Sequence, residues 1–93
     1  MAEGKAFSAR VHGRVQGVGF RYSTRSKAKS LGVKGFVRNE PDGTVRVDCE
    51  GNPTAVDQMA AWLKEGPGMA HVTDVEFTWR ETEQGYARFT VDG

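Results

Sequence analysis

The sequence predicts an α+β fold, a split βαβ sandwich, and three observations predict it. Short runs of alternating apolar and polar residues recur along the chain. Two helix-length segments with their own start and stop signals lie between those runs. The length of 93 residues, 38% of them hydrophobic, suits one compact core and is too small for two, so residues 1–93 are expected to form a single domain.

Phe7-Ser8-Ala9-Arg10-Val11 alternates with period two, as a strand with one buried face does. Tyr22 to Leu31 reads as a helix rich in Lys, Arg, Ser and Ala, with a thin apolar stripe and Gly32 placed as its carboxyl-terminal cap. Val33 to Asn39 is the second strand. Glu40-Pro41-Asp42-Gly43 turns it back into Val45-Arg46-Val47-Asp48-Cys49, a hairpin in which the proline presets one backbone angle and the glycine tolerates a positive one. The second helix begins with Asn52 as cap and Pro53 at the first helical position. It carries Val56, Met59, Ala60 and Leu63 at helical spacing and stops at Gly66-Pro67-Gly68.

Val75-Glu76-Phe77-Thr78-Trp79 and Ala87-Arg88-Phe89-Thr90-Val91 are the remaining strands, the last expected to join through a hairpin near Glu83-Gln84-Gly85. Helices inserted between strands in this order give an antiparallel sheet with both helices on one face. Trp62, Trp79 and the five phenylalanines read as core or half-buried packing, and His71 as a loop residue.

No segment approaches the roughly 20 apolar residues that span a membrane, and Met1 to Ala6 carries no apolar run. Cys49 is the only cysteine, which fits a reducing compartment, so a cytoplasmic protein without membrane attachment is expected. The net charge of +1 hides an asymmetry. Residues 1–47 carry +7 and residues 48–93 carry −6, and from Lys5 to Asn39 there are nine cations and no carboxylate. That half of the chain would set up a positive field attractive to small anions, although a solvated basic face has the same composition.

Within it, Gly13 to Arg21 reads G-R-V-Q-G-V-G-F-R. Gly17 and Gly19 can adopt angles that turn successive N–H groups inward as an anion nest. Arg21 adds a planar two-pronged donor, and the helix that follows offers its free amino-terminal N–H groups. The pattern reads as a phosphate pocket or, more plainly, as a tight strand-to-helix turn. It matches neither G-x-x-x-x-G-K-[ST] nor G-x-G-x-x-G, so nucleotide binding is not indicated.

Asn39, ending the second strand, is the best partner for such a pocket, because an uncharged amide can hold a water without deprotonating it; an asparagine before Glu-Pro-Asp-Gly is also a good turn residue. Covalent catalysis has no visible nucleophile. Six positions after Cys49 stands Ala55 rather than Arg, and there is no D-x-D-x-T. His12 falls on the face opposite Phe7, Ala9 and Val11 and reads as a surface residue; with His71 it makes no metal site. A site without a general acid needs a good leaving group, and a carboxylate, whose acid has a pKa near roughly 4, is one. The chemistry points to mixed carboxylic–phosphoric anhydrides.

Two signatures, H-G-R-V-Q-G-V-G-F-R from His12 to Arg21 and G-F-V-R-N-E-P-D-G-T-V from Gly35 to Val45, make the chain closely resemble the small stand-alone acylphosphatases over essentially its whole length. The resemblance implies a ferredoxin-like fold and hydrolysis of acyl phosphates to a carboxylate and inorganic phosphate, with neither metal nor organic cofactor. It implies that Arg21 binds the phosphoryl group, that Asn39 orients the attacking water, that Gln16, Gly17, Val18, Gly19 and Phe20 form the amide cradle, and that Thr44 is a supporting hydroxyl near Asn39. The implied partners are a small acyl phosphate and inorganic phosphate, with no nucleic acid, for a monomer. The chain ends Val91-Asp92-Gly93 rather than on an aromatic residue, so no role is carried over for the carboxyl terminus. A non-catalytic anion- or RNA-binding module of the same element order is the competing reading, weakened by the acidic second half and by the poor match of Lys34-Gly35-Phe36 to an RNA-binding signature.

Overall fold

The computed structural model describes residues 4–81 and 84–92. The elements run β1 (Lys5–Arg14), α1 (Phe20–Leu31), β2 (Lys34–Asn39), β3 (Val45–Gly51), α2 (Pro53–Glu65), β4 (His71–Arg80) and β5 (Phe89–Asp92). The five strands form one sheet in the order β4-β1-β3-β2-β5. The first four strands pair antiparallel, giving the predicted ferredoxin-like sandwich.

Register assigns each face. Phe7 lies opposite Cys49 and Trp79, Ala9 opposite Val47 and Phe77, and Val11 opposite Val45 and Val75, so these residues share the face that packs on the helices. Phe7 meets the edges of Phe77 and Trp79 at centroid distances of 5.2 and 5.3 Å. From α2, Val56, Met59 and Leu63 close the same core, which also takes in Phe20 and Ala28 of α1. Asn52 Oδ1 caps α2 by accepting from the N–H of Thr54 at 3.0 Å, and Pro53 opens it. Trp79, by contrast, stays substantially exposed at the sheet margin, with Lys5 Nζ 4.6 Å above its ring.

Helix α1 starts at Phe20, two residues ahead of the expected Tyr22, because Gly19 adopts the left-handed conformation of its N-cap and the N–H of Ser23 already bonds to the Gly19 carbonyl. Its thin apolar stripe is completed by Thr24, fully buried because its hydroxyl donates to the Phe20 carbonyl at 2.8 Å. His71, expected in a loop, opens β4 instead, paired with Arg14.

The last strand differs from expectation. No hairpin joins it to β4; β5 crosses to the far side of the sheet and pairs parallel with β2, Gly35 with Phe89 and Val37 with Val91, which makes the sheet mixed. Glu83 of the expected hairpin lies outside the described residues; Gln84 and Gly85 lie in the crossing. The reason is a buried carboxylate. Glu50 on β3, facing away from the helices, accepts the N–H groups of Gln84, Gly85 and Tyr86 at 2.6, 2.8 and 2.9 Å. Tyr86 then donates its hydroxyl to Asp48 at 3.2 Å and sets its ring edge-on to Phe36 of β2. Three amides on one carboxylate form a charge-assisted clasp, and it routes the chain across the open face of the sheet to its other edge. Among the described residues, no helix is long and apolar enough to cross a membrane.

Candidate active site

The loop from β1 to α1 is pinned at both ends by buried side chains, Val15 and Phe20, while Val18 packs partly against the core. Between these anchors the backbone is free to bend. Gly17 and Gly19 have φ of 74° and 75°, whereas among the described residues no other residue type takes a positive φ, so left-handed and ordinary conformations alternate. That alternation turns consecutive N–H groups to one side, as in an anion nest. A Cβ on either glycine would meet nothing within 4 Å, so backbone conformation, not crowding, requires glycine there.

The start of α1 adds to this concavity. Its N-cap is a glycine with no side-chain cap, and there is no acidic residue in the first turn. The first amides of the helix therefore keep their hydrogens and the positive end of the helix dipole for a ligand. Arg21 sits in this first turn, partly buried, with its guanidinium carbon 5.8 Å from the centre of the Tyr22 ring.

Asn39 is the last residue of β2. It pairs with Val45, and so its side chain lies on the helix side of the sheet with Val37 and Val11. Its Oδ1 is buried and has no hydrogen-bond partner among the described residues. A buried amide oxygen left unpaired costs about 1–3 kcal/mol, so a native one needs a reason. The oxygen is left able to accept a hydrogen bond from a bound molecule.

Gln16 ties the two halves together. Its Nε2 donates to the carbonyls of Glu40 and Thr44 at 2.8 and 2.9 Å, which seats the loop on the turn that follows Asn39. Sequence reading assigned Gln16 to the cradle through its backbone and missed this side-chain bridge; the only local signal was a long amide placed directly before the first loop glycine, Gly17.

Thr44 lies in the same turn, but its hydroxyl points elsewhere. It donates to Asp42 Oδ1 at 2.6 Å and accepts from Arg10 Nη1 at 3.0 Å. Arg10 belongs to the helix-free face, so the hydroxyl supports the turn from the side opposite the Asn39 amide. The Thr44 hydroxyl and N–H both bond to the Asp42 carboxyl, which is held below its ordinary range chiefly for that reason. His12 also faces the helix-free side, its Nε2 2.5 Å from Glu76 Oε1.

The structure thus brings Gln16 to Arg21 and Asn39 to one end of the sheet, and leaves His12 and the Thr44 hydroxyl on the other face. Donors dominate this end, with no carboxylate in the loop or in the first helical turn. Cys49 offers no nucleophile, since it is fully buried in the helix-side core and burial pushes its thiol up to about 12, with Glu50 and Asp48 adding to the effect. Among the described residues, no group of three or more His, Cys, Asp or Glu side chains is placed to hold a metal ion. Such an arrangement can bind an oxyanion and position a neutral nucleophile against it.

A family model for acylphosphatases matches residues 7–91. The acylphosphatase of Thermococcus kodakarensis is 51% identical over 84 residues, covering 90% of this chain and 91% of its own. That of Paraburkholderia xenovorans is 46% identical over 85 residues, covering 91% and 88%. Among solved structures, the acylphosphatase of Bacillus subtilis superposes with a TM-score of 0.91 at 34% identity, covering 96% of this chain and 99% of that one.

Proposed function

The chain belongs to the acylphosphatase family, and from that premise we propose that it hydrolyses acyl phosphates by direct attack of one water, with the phosphoryl group held by the 16–21 loop and Arg21 and the water oriented by Asn39. The activity itself, acyl phosphate to carboxylate and inorganic phosphate, is that of the family. The assignment of roles rests above all on the buried, unpartnered Oδ1 of Asn39 beside a loop lined with donors.

In this mechanism the loop amides and the Arg21 fork neutralise the phosphoryl oxygens, where charge is concentrated as the transition state forms. Asn39 Oδ1 accepts a hydrogen bond from one O–H of the water and leaves an oxygen lone pair aimed at phosphorus. The new bond joins the water oxygen to phosphorus; the bond that breaks joins phosphorus to the acyl oxygen, whose electron pair departs as carboxylate. One water proton stays on that oxygen and the other passes to a phosphate oxygen, so an acyl phosphate dianion and water become a carboxylate and dihydrogen phosphate. No protein acid is required, because a carboxylate leaves unprotonated. Thr44 acts from behind, holding the Asp42 turn that positions Asn39.

We further read residues 1–93 as one domain acting as a monomer in the cytoplasm on small acyl phosphates, without nucleic acid. One hydrophobic cluster drawing on both helices and all five strands supports the first point.

The test is hydrolysis of benzoyl phosphate in the presence of a chelator by the wild type and by Asn39→Ala. Metal-independent turnover reduced at least about a hundredfold in the variant, with inorganic phosphate still a competitive inhibitor of similar strength, is expected for a residue that acts on the water. Unchanged turnover would remove Asn39 from the mechanism.

A further inference from the structure

Beside the phosphate loop lies a cleft of about 420 Å³ between α1 and β5, lined by Tyr22, Arg25, Arg88, Phe89, Thr90 and Val91. It starts where the proposed phosphate site ends. Tyr22 is the residue after Arg21, its ring stands beside the Arg21 guanidinium, and 62% of it is exposed, unusual for so large a side chain. Phe89 and Val91 contribute an apolar wall that continues into the core.

Two cations mark the cleft. Arg25 stands one turn along α1 from Arg21, about 6 Å in rise, and Arg88 precedes β5. Among the described residues, neither guanidinium has a carboxylate within ion-pair distance. Three arginines of the helix-free face are differently placed: Arg10 is paired with Asp42, Arg38 with Glu40 and Arg46 with Asp48, while Arg80 on that face donates to the Ser8 hydroxyl. The one acid at the end of β5, Asp92, accepts from the Thr90 hydroxyl at 3.2 Å, and strand alternation sets it on the face opposite Phe89 and Val91.

We infer that this cleft takes the acyl part of the substrate, and that Arg25 and Arg88 select acyl phosphates whose acyl group carries a second anionic group. The inference rests on the phosphoryl position proposed above. With phosphorus at the mouth of α1, an acyl chain directed along the helix passes the Tyr22 ring and Val91 and brings a distal carboxylate or phosphate to the two guanidiniums. A para-substituted benzoyl group has the length and rigidity to do this.

The experiment compares kcat/KM for 4-carboxybenzoyl phosphate and benzoyl phosphate in the wild type, in Arg25→Gln/Arg88→Gln and in Lys29→Gln/Lys34→Gln. The last pair removes the same charge from exposed positions at the far end of α1 and the start of β2. The wild type is expected to favour the carboxylated substrate, and the arginine variant to lose about tenfold of that preference, through KM, as two charge-assisted contacts would. The lysine variant keeps it. A preference unaffected by the arginine changes, or reduced equally by the lysine changes, overturns the inference and leaves the phosphate site standing. Turnover of both substrates that survives Asn39→Ala undamaged overturns the underlying mechanism, and the inference with it.

Discussion

The side-chain amide of Gln16 donates to the carbonyl oxygen of Glu40 at 2.8 Å, which ties the loop that would grip phosphate to the turn after the strand end that would hold water. The same nitrogen reaches the Thr44 carbonyl. Gln16→Ala breaks both bonds, while the Glu40 and Thr44 carbonyls each keep one backbone donor, the N–H groups of Gly43 and Glu40. About 1–2 kcal/mol of stability should be lost. Activity should suffer more, with kcat for benzoyl phosphate falling roughly 10- to 100-fold, since a misplacement of about 1 Å is enough for that. Thermal unfolding and steady-state kinetics on the same preparation separate the two effects; a stability loss with unchanged kcat would mean that the bridge does not position the site.

Arg21→Lys retains the charge and loses the fork. Inorganic phosphate should then inhibit about tenfold more weakly, and kcat/KM should fall at least as far, because a point charge cannot replace two parallel bonds. Equal inhibition of variant and wild type would assign phosphate binding to the backbone amides alone.

Glu50→Gln tests the clasp on the crossing segment. One oxygen now accepts from Gly85 and Tyr86 and the other from Gln84, so an amide must put an NH₂ group against at least one N–H. A destabilisation of about 3 kcal/mol is expected. Amide exchange should accelerate in β5 and at its β2 partners before it does in β1 or β3. Uniform acceleration across the sheet would show that the clasp holds the whole fold, not its edge.

Cys49 sets part of the alkaline limit. Its thiol is pushed from an ordinary value of 9.0 up to about 12 by burial, with Glu50 and Asp48 adding to the rise. Below pH 9 both folded and unfolded chains keep the proton. Above it the unfolded chain loses a proton that the folded chain retains, so stability falls by up to about 1.4 kcal/mol per pH unit until about pH 12. Tyr86, raised by burial and then by Asp48, acts in the same direction. Cys49→Ala should flatten the alkaline limb of a denaturation profile while leaving the Tyr86 share; an unaltered limb would remove Cys49 as its source. In the native protein at pH 8 the thiol should resist alkylating reagents and become reactive only on unfolding.

Local signals were legible in the sequence. Gly17 and Gly19 mark the two left-handed positions of the loop ahead of α1 because the backbone requirement is met within a few residues, and Asn52-Pro53 marks the start of α2 for the same reason. The path of β5 was not, because it depends on Glu50, a residue that alternation places on the open face and that reads as solvated. Only the chain arriving 34 residues later buries it. Asn39 was expected at the end of the second strand and stands there, whereas the burial of its Oδ1 without a partner among the described residues is a property of the packed fold. Thr44 illustrates the opposite failure. The family resemblance implied a hydroxyl near Asn39, while the pleat sends it to Asp42 and Arg10 on the far side.

The four residues of β5 also decide what the sheet offers to other molecules. With them in place, the outer strand on that side is short and ends in Asp92, and the opposite margin, β4, carries His71, Asp74, Glu76 and Arg80 along its ten residues. Short or charged margins discourage strand addition by a neighbouring chain. Peel β5 away and the newly bared margin is β2, whose Val37 is fully buried and whose backbone groups would lose their parallel partners. That is a template for intermolecular pairing. Keeping β5 docked on β2 therefore covers a margin open to self-association, and the Glu50 carboxylate on the helix-free face holds the crossing segment that leads to it.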